Sequence, residues 1–128
     1  MKLLVDAHPL IWAVDDPSKL GTQALPALQH SANDLVLSAG TIWEIAIKVG
    51  LGKLTLSMPY REWMNQAIVD LGMTVLPITV ETADVQSALP KHHRDPFDRL
   101  LVAQAQVENI PLVSADPWFD AYGINRVW

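Results

Sequence analysis

The sequence predicts an α/β fold in which helices cover both sides of a parallel sheet. Short apolar runs alternate along the chain with longer segments of helical periodicity, which is typical of βαβ units. The first run, residues 1–5, is almost wholly apolar, as expected of a strand that is buried on both faces. Acidic residues directly follow several of these runs. The three observations together place a candidate site at the carboxyl edge of a parallel sheet.

The elements follow in chain order from their apolar spacing and from the signals at their ends. The predicted strands are residues 1–5, 35–38, 74–78, 110–114 and 124–128. The predicted helices are residues 7–14, 22–30, 41–49, 59–71, 79–89, 96–108 and 118–122.

Signals at the helix ends support the first half of this assignment. Pro9 is tolerated in the first turn of the helix after the first strand, whereas Pro26 leaves the start of the second helix undefined. Residues 41–44 match the S/T-x-x-E capping box, which starts the third helix and places Glu44 in its first turn. Gly72 closes the fourth helix.

The second half is organised around one long helix. Asp95 can cap it, Pro96 suits its first position, and Asp98 lies in the first turn, where the helix dipole favours negative charge. Asn109 suits its C-terminal end. Pro77, inside the third strand, cannot donate a ladder hydrogen bond, which places that strand at a sheet edge.

Composition limits the class of protein. The length suits one domain, residues 1–128, and half of the residues are hydrophobic, as in a globular protein. There is no apolar run of membrane-span length and no signal-peptide hydrophobic region, so we expect a cytoplasmic protein without a membrane contact. The absence of cysteine excludes disulfides and thiolate metal sites. The net charge of −5 argues against non-specific duplex binding, but not against a nucleic-acid enzyme whose acids hold cations.

Four acidic residues follow successive strands and form the candidate site. They are Asp6, Glu44, Asp98 and Asp116. Each alone is explained as a helix cap or a first-turn acid that stabilises its helix by roughly 1 kcal/mol. On adjacent strands, however, the carboxylates would converge and raise one another's pKa unless a cation neutralised them. Mg²⁺ and Mn²⁺ prefer such oxygen ligands and keep positions for a phosphate, so the pattern predicts phosphodiester cleavage.

Other polar residues near these acids have alternative roles. Asp95 is interpreted as a structural cap. Arg99 and Arg94 are candidates for contact with a substrate phosphate, and an ion pair with Asp95 or a neighbouring acid is an equal alternative for Arg99. No histidine pair has the i, i+4 spacing of a helical zinc motif, which favours a solvated or hydrogen-bonded role over a ligand or general-base role for His8, His92 and His93.

The chain resembles PIN-domain ribonucleases, specifically the VapC-type toxins of type II toxin–antitoxin systems. The resemblance covers nearly the whole chain and is carried by LLVDAH, SAGTIWEIAIKVGLGKL, LPKHHRDPFDRLLVAQA and LVSAD. The family's four acids match Asp6, Glu44, Asp98 and Asp116 in order. Ala7 departs from the family, in which threonine is usual after the first acid, and Pro9 is also unusual.

The resemblance implies a three-layer α/β/α PIN-like domain with a central parallel sheet of strand order 3-2-1-4-5. It also implies an Mg²⁺- or Mn²⁺-dependent endoribonuclease that acts on RNA, forms a homodimer and is inhibited by a VapB-like antitoxin. Two apolar surfaces favour such a dimer, because together they exceed what a small core needs. One is the stripe formed by Trp43 and Ile47, and the other is the aromatic helix with Tyr60 and Trp63.

Two alternatives come from other classes of function. A phosphatase or a receiver-like protein also carries an aspartate after the first strand of a doubly wound sheet. The phosphatase would need a second acid where His8 stands, and the receiver would need a late lysine, whereas none follows Lys91. A catalytically silent PIN-fold binding module would be expected to lack at least one of the four acids, and all four are present.

Overall fold

The computed structural model describes all 128 residues and shows a five-stranded sheet with helices on both faces. The strands are β1 (Lys2–Val5), β2 (Asp34–Ser38), β3 (Thr74–Leu76), β4 (Leu112–Val113) and β5 (Arg126–Val127). The helices are α1 (Ala7–Asp15), α2 (Ala24–Gln29), α3 (Ala39–Gly50), α4 (Tyr60–Asp70), α5 (Val80–Ala88) and α6 (Pro96–Glu108). Short 3₁₀ helices cover Pro17–Lys19 and Pro117–Tyr122. None of the helices has the length and apolar character needed to cross a bilayer.

The sheet has the order β3-β2-β1-β4-β5, and all neighbouring strands are parallel. This confirms the three-layer α/β/α fold and the strand order that the resemblance implies. β3 lies at one edge and ends at Leu76, just before Pro77. The predicted edge position is confirmed, but the strand predicted to continue through Pro77 to residue 78 ends before the proline, which has no N–H to continue the ladder.

The central strand β1 divides the core into two layers. Successive residues of a strand point to opposite faces, so Leu3 and Val5 join one buried cluster and Leu4 joins the other. The first cluster includes Trp63 of α4, and the second includes Leu101 of α6. Because helices cover both faces, the carboxyl edge of the sheet is the place left for a site.

The start of α3 differs from the prediction. β2 passes directly into α3, and the Ser38 side chain accepts a hydrogen bond from the Gly40 N–H at 3.1 Å as the N-cap. The capping box predicted at residues 41–44 is wrong, because Ser38 already serves the first free N–H groups of the helix. Thr41 is buried inside the first turn, and Glu44 lies beyond it. Capping therefore does not explain Glu44.

The aromatic residues of α4 belong to the core. Trp63 is fully buried, and its indole N–H donates to Asp15 Oδ1 at 3.0 Å. Tyr60 Oη donates to the Ile42 carbonyl at 2.7 Å. The prediction that these two side chains form dimer surface is wrong, because both rings pack α4 against the rest of the domain. Trp43 of α3, by contrast, is 62% exposed.

The ends of α6 agree with the prediction. Asp95 Oδ1 accepts a hydrogen bond from the Phe97 N–H at 2.8 Å, and Pro96 occupies the first helical position. Asn109 ends the helix in the left-handed conformation with φ of 53°. These ends fix where Asp98 stands relative to the sheet.

Candidate metal centre

The four predicted acids meet at the carboxyl edge of the sheet. Asp6 follows β1, and Asp116 follows β4, the strand paired with β1. Glu44 and Asp98 come from α3 and α6, which pack against each other at this edge. The charges of Asp6, Glu44 and Asp116 all act on Asp98, so the four carboxylates form one electrostatic group.

Asp6 is buried, and both of its oxygens are held by donors. Oδ1 accepts from the Ala7 N–H at 2.8 Å, and Oδ2 accepts from Ser114 Oγ at 2.8 Å. Burial raises the pKa of Asp6, although the two hydrogen bonds oppose the rise. Ser114 Oγ also accepts from the Asp116 N–H at 3.1 Å. One hydroxyl therefore connects the first acid of the chain with the last.

Glu44 is only 4% exposed and is incompletely hydrogen-bonded. Lys48, one turn further along α3, donates to Glu44 Oε2 at 2.6 Å, whereas Oε1 is buried without any partner. Burial raises the pKa of Glu44, the Lys48 ammonium lowers it, and the charges of Asp6 and Asp95 raise it further. A buried carboxylate oxygen without a donor is costly unless another group, such as a cation, completes its environment.

Asp98 is the most perturbed acid of the group. Burial raises the pKa of Asp98 to about 7, with further contributions from the charges of Asp95, Asp6, Glu44 and Asp116. Like charges this close disfavour simultaneous ionisation, and a positive ion among them would reverse that effect.

Asp116 is held between the backbone and a histidine. Oδ1 accepts from the Trp118 N–H at 2.9 Å, and Oδ2 lies 3.1 Å from His93 Nε2. His93 is hydrogen-bonded in the structure, as predicted. His93, Asp98 and Asp116 also each place a potential ligand atom within 4.8 Å of the others.

The donor set fits a divalent cation. Carboxylate oxygens are the preferred ligands of Mg²⁺ and Mn²⁺, and Mn²⁺ also accepts an imidazole nitrogen. A cation among these carboxylates would relieve the repulsion that raises the pKa of Asp98. The ligand atoms that lie within 4.8 Å of one another belong to His93, Asp98 and Asp116, whereas Asp6 and Glu44 are not part of this closest group. The residues at this edge therefore fit such an ion chemically.

Arg99 has a different role from the predicted ion pair. Its guanidinium donates to the carbonyls of Gln86, Leu89 and Pro90 at 2.8, 3.2 and 3.0 Å. The prediction of an ion pair with Asp95 is wrong. The buried guanidinium instead donates to backbone carbonyls at the end of α5 and in the following loop. Arg99 thereby fixes the loop that leads into α6.

A basic cleft adjoins the acids on the side of this loop. Its volume is about 520 Å³, and Lys91, His93, Arg94 and Arg99 line it. His93 also contacts Asp116, so the cleft and the acidic group share a wall. Contact of Arg94 and Arg99 with a substrate phosphate stays a prediction.

Three residues at the site were not predicted from the sequence. Lys48 stands four residues after Glu44 on one helix, a spacing that typically pairs such charges, and this signal was available. Ser114 reaches Asp6 across 108 residues of sequence, and Tyr122 reaches His93 across 29. No local pattern signals these last two contacts, because they depend on the strand order.

Comparison with known proteins gives a family and a relative. The PIN domain family model matches residues 3–125. Ribonuclease VapC22 of Mycobacterium tuberculosis (strain ATCC 25618 / H37Rv) is 30% identical over 115 residues, which are 89% of this chain and 86% of that protein.

Solved structures with a similar fold include two bacterial assemblies. VapBC2 from Rickettsia felis, bound to a DNA fragment from its promoter, has a TM-score of 0.68 at 14% identity and covers 98% of this chain and 97% of that chain. FitAcB from Neisseria gonorrhoeae has a TM-score of 0.66 at 18% identity and covers 97% of this chain and 95% of that chain. At these identities the similarity concerns the fold.

Proposed function

The chain belongs to the PIN-domain family as a VapC-type ribonuclease, and on that premise we propose that it is a metal-dependent endoribonuclease. In this proposal Asp6, Glu44, Asp98 and Asp116 hold Mg²⁺ or Mn²⁺, and RNA is cleaved beside them. One observation carries the proposal: acids from distant parts of the chain lie together at one edge of the sheet, where Asp98 and Asp116 place ligand atoms within 4.8 Å of each other. Burial and the surrounding carboxylates raise the pKa of Asp98 to about 7, in keeping with this arrangement. Carboxylates that repel one another in this way favour a bound cation.

The bound ion would neutralise the carboxylates and stabilise the charge that develops on the phosphate during cleavage. The residues of the chain supply the geometry. Asp6 and Asp116 each have both oxygens held by donors, so their orientation exists before any ligand binds. Lys48 holds one oxygen of Glu44 and leaves the other free. Such prior orientation is what an efficient site requires.

The basic cleft supports RNA as the substrate. Lys91 and Arg94 are exposed at its rim, where the phosphate backbone of a bound strand would pass. Contacts with phosphates provide affinity and position the strand without reading its sequence. We propose that Arg94 and Lys91 bind phosphate directly, and that Arg99, which lines the same cleft, adds its positive charge there while it fixes the loop that carries them.

A VapB-like antitoxin is the proposed partner, and the similarity to the VapBC2 structure supports it. The acidic edge provides the chemistry for inhibition. A basic group of the partner could neutralise the same carboxylates that hold the metal. The net charge of −5 would assist the approach of a basic segment.

The test is the cleavage of total cellular RNA with mapped ends, in Mn²⁺ and in EDTA. We expect cleavage in Mn²⁺ and none in EDTA, and a loss of several orders of magnitude in Asp98→Asn. Asp34→Asn is the matched control, because Asp34 is exposed at the start of β2, on the opposite edge of the sheet. Cleavage that resists EDTA would contradict the metal site. No cleavage in Mn²⁺ would instead favour the silent binding module.

A further inference from the structure

We infer that His93 is a positioning residue for Asp116 and that Tyr122 holds the His93 ring in place. The inference rests on the proposed metal site. It concerns two residues outside the four acids, both joined to Asp116 by a continuous chain of hydrogen bonds.

Hydrogen bonds connect His93 to both Tyr122 and Asp116. The backbone N–H of His93 donates to Tyr122 Oη at 2.8 Å, and the ring Nδ1 lies 3.3 Å from the same oxygen. A phenol hydroxyl can donate to Nδ1 or accept from it, so this contact holds the ring in place in either tautomer. Nε2 lies 3.1 Å from Asp116 Oδ2, and because a carboxylate oxygen accepts, Nε2–H is the donor of that bond.

The imidazole is fixed in place by packing. It stacks on Phe119 with ring centroids 4.9 Å apart and on Tyr122 at 5.5 Å, and the interplanar angles are 24° and 26°. Its side chain is only 9% exposed, and Phe119 is completely buried. The donor that faces Asp116 therefore has a defined position, although His93 lies in a loop.

The consequence is a carboxylate with little freedom to turn. The Trp118 N–H holds Asp116 Oδ1, and His93 holds Oδ2. Groups that orient a metal ligand from outside the coordination sphere typically change metal affinity or activity 10- to 100-fold when they are removed. His93 and Tyr122 have the arrangement of such a group.

Direct metal ligation by His93 is the competing assignment, since Nε2 lies within ligand distance of Asp98 and Asp116. Ligation requires a lone pair on the nitrogen that faces the site. The hydrogen bond to Asp116 Oδ2 needs a proton on that same nitrogen, so Nε2 can serve Asp116 or a metal ion but not both. The contact that the structure shows is the one to Asp116, which favours positioning over ligation.

The first experiment measures Mn²⁺ affinity by electron paramagnetic resonance on the protein without RNA. His93→Ala should bind Mn²⁺ about 10- to 100-fold more weakly, and Tyr122→Phe should show a smaller loss in the same direction. Asp98→Asn should lose the site. His30→Gln is the control for a histidine change, because His30 precedes β2 at the opposite edge, and it should bind normally.

The second experiment follows the imidazole nitrogens by ¹⁵N NMR while Mg²⁺ is added. Positioning predicts that the Nε2 proton of His93 persists at saturation, whereas its loss would overturn the inference in favour of ligation. Unchanged Mn²⁺ affinity in His93→Ala, beside a loss in Asp98→Asn, would overturn the inference and leave the metal site standing. Unchanged affinity in Asp98→Asn would contradict the proposed function itself. Tyr122→Phe retains the stacked ring and decides the question if His93→Ala does not fold.

Discussion

Asp95 and Asp98 lie three residues apart at the start of α6 and have opposite surroundings. Asp95 accepts the Phe97 N–H and completes the end of the helix. Asp98 has no hydrogen bond from a protein donor, and burial and the neighbouring acids raise its pKa to about 7. At the scale of the residue, Asp95 stabilises the fold, whereas the fold makes the ionised form of Asp98 less favourable.

This contrast gives crossed predictions for two variants. Asp98→Asn should reduce RNA cleavage by orders of magnitude, while the melting temperature holds or rises because repulsion is relieved. Asp95→Ala should lose roughly 0.5 to 2 kcal/mol of stability with the cap and still cleave RNA once folded. Melting curves and cleavage rates in saturating Mn²⁺ check both. If Asp95→Ala were the inactive variant, the third acid would be misassigned.

The raised pKa of Asp98 also sets a pH dependence for the metal-free protein. The folded state holds a proton up to about pH 7 that the unfolded carboxyl releases near pH 4, so the free energy of unfolding should fall as pH rises across this range. The raised pKa values of Asp6 and Glu44 act in the same direction. Urea unfolding in EDTA at about pH 5 and about pH 8 measures the effect, and Asp98→Asn should flatten it. Stability that increases with pH in EDTA would contradict it.

Residue chemistry could be predicted from the sequence where it depends on neighbours along the chain. The cap at Asp95 and the first-turn position of Asp98 follow from local signals. The free oxygen of Glu44 and the contact between Ser114 and Asp6 depend on packing between distant elements. No single-sequence pattern carries that information.

At the scale of the element, α3 starts earlier than predicted because the last residue of β2 caps it. Thr41 and Glu44 have the spacing of a capping box, but Ser38 ends β2 and caps the helix first. The predicted helix therefore starts too late, although its body is correct. The shift places Glu44 beyond the first turn, where it contacts Lys48 rather than the backbone of the helix start.

The contact between α3 and α6 predicts opposite outcomes for two glycines of α3. A side chain at Gly40 would collide with Leu100 of α6, whereas the space around Gly50 is open. Gly40→Ala should therefore destabilise the protein by up to about 1 kcal/mol, because the end of the Leu100 side chain must move to make room. Gly50→Ala should gain up to about 1 kcal/mol. Chemical denaturation of both variants tests this, and equal shifts would show that the two helices do not meet closely at Gly40.

At the scale of the whole molecule, apolar surface remains on one side of the fold. A groove of about 300 Å³ lies between α3, α5 and α6, with Trp43, Ile78 and Phe97 among its lining residues. Trp43 is 62% exposed and Ile78 is 50% exposed. The sequence predicted exposed apolar surface correctly at Trp43 but not at Trp63, because the same helical periodicity describes a core face and an interface.

We predict that the chain is a homodimer and that this surface contributes to the interface. Light scattering at micromolar concentration should give twice the chain mass, and Trp43→Ser should shift the protein toward monomer. Val69→Ser is the control, because Val69 is 73% exposed on α4, away from the groove, and should leave the mass unchanged. A monomeric mass for the unmodified chain would contradict the prediction.

The acidic edge also predicts how the antitoxin binds. If an arginine of the antitoxin reaches the carboxylates, neutralising Asp98 and Asp116 together should weaken the complex, and added Mn²⁺ should compete with it. Calorimetric titration of the antitoxin into the unmodified and the neutralised protein, each with and without Mn²⁺, measures the two effects. An affinity that responds to neither change would place the partner elsewhere on the surface.

The bond between Ser114 and Asp6 has a consequence for folding. The two residues are 108 positions apart, and β1 pairs with β4 across that separation. A long loop must close before such contacts contribute to stability, so they are slow to form. We therefore expect a partly folded chain to lack the assembled acidic edge until β1 and β4 are paired.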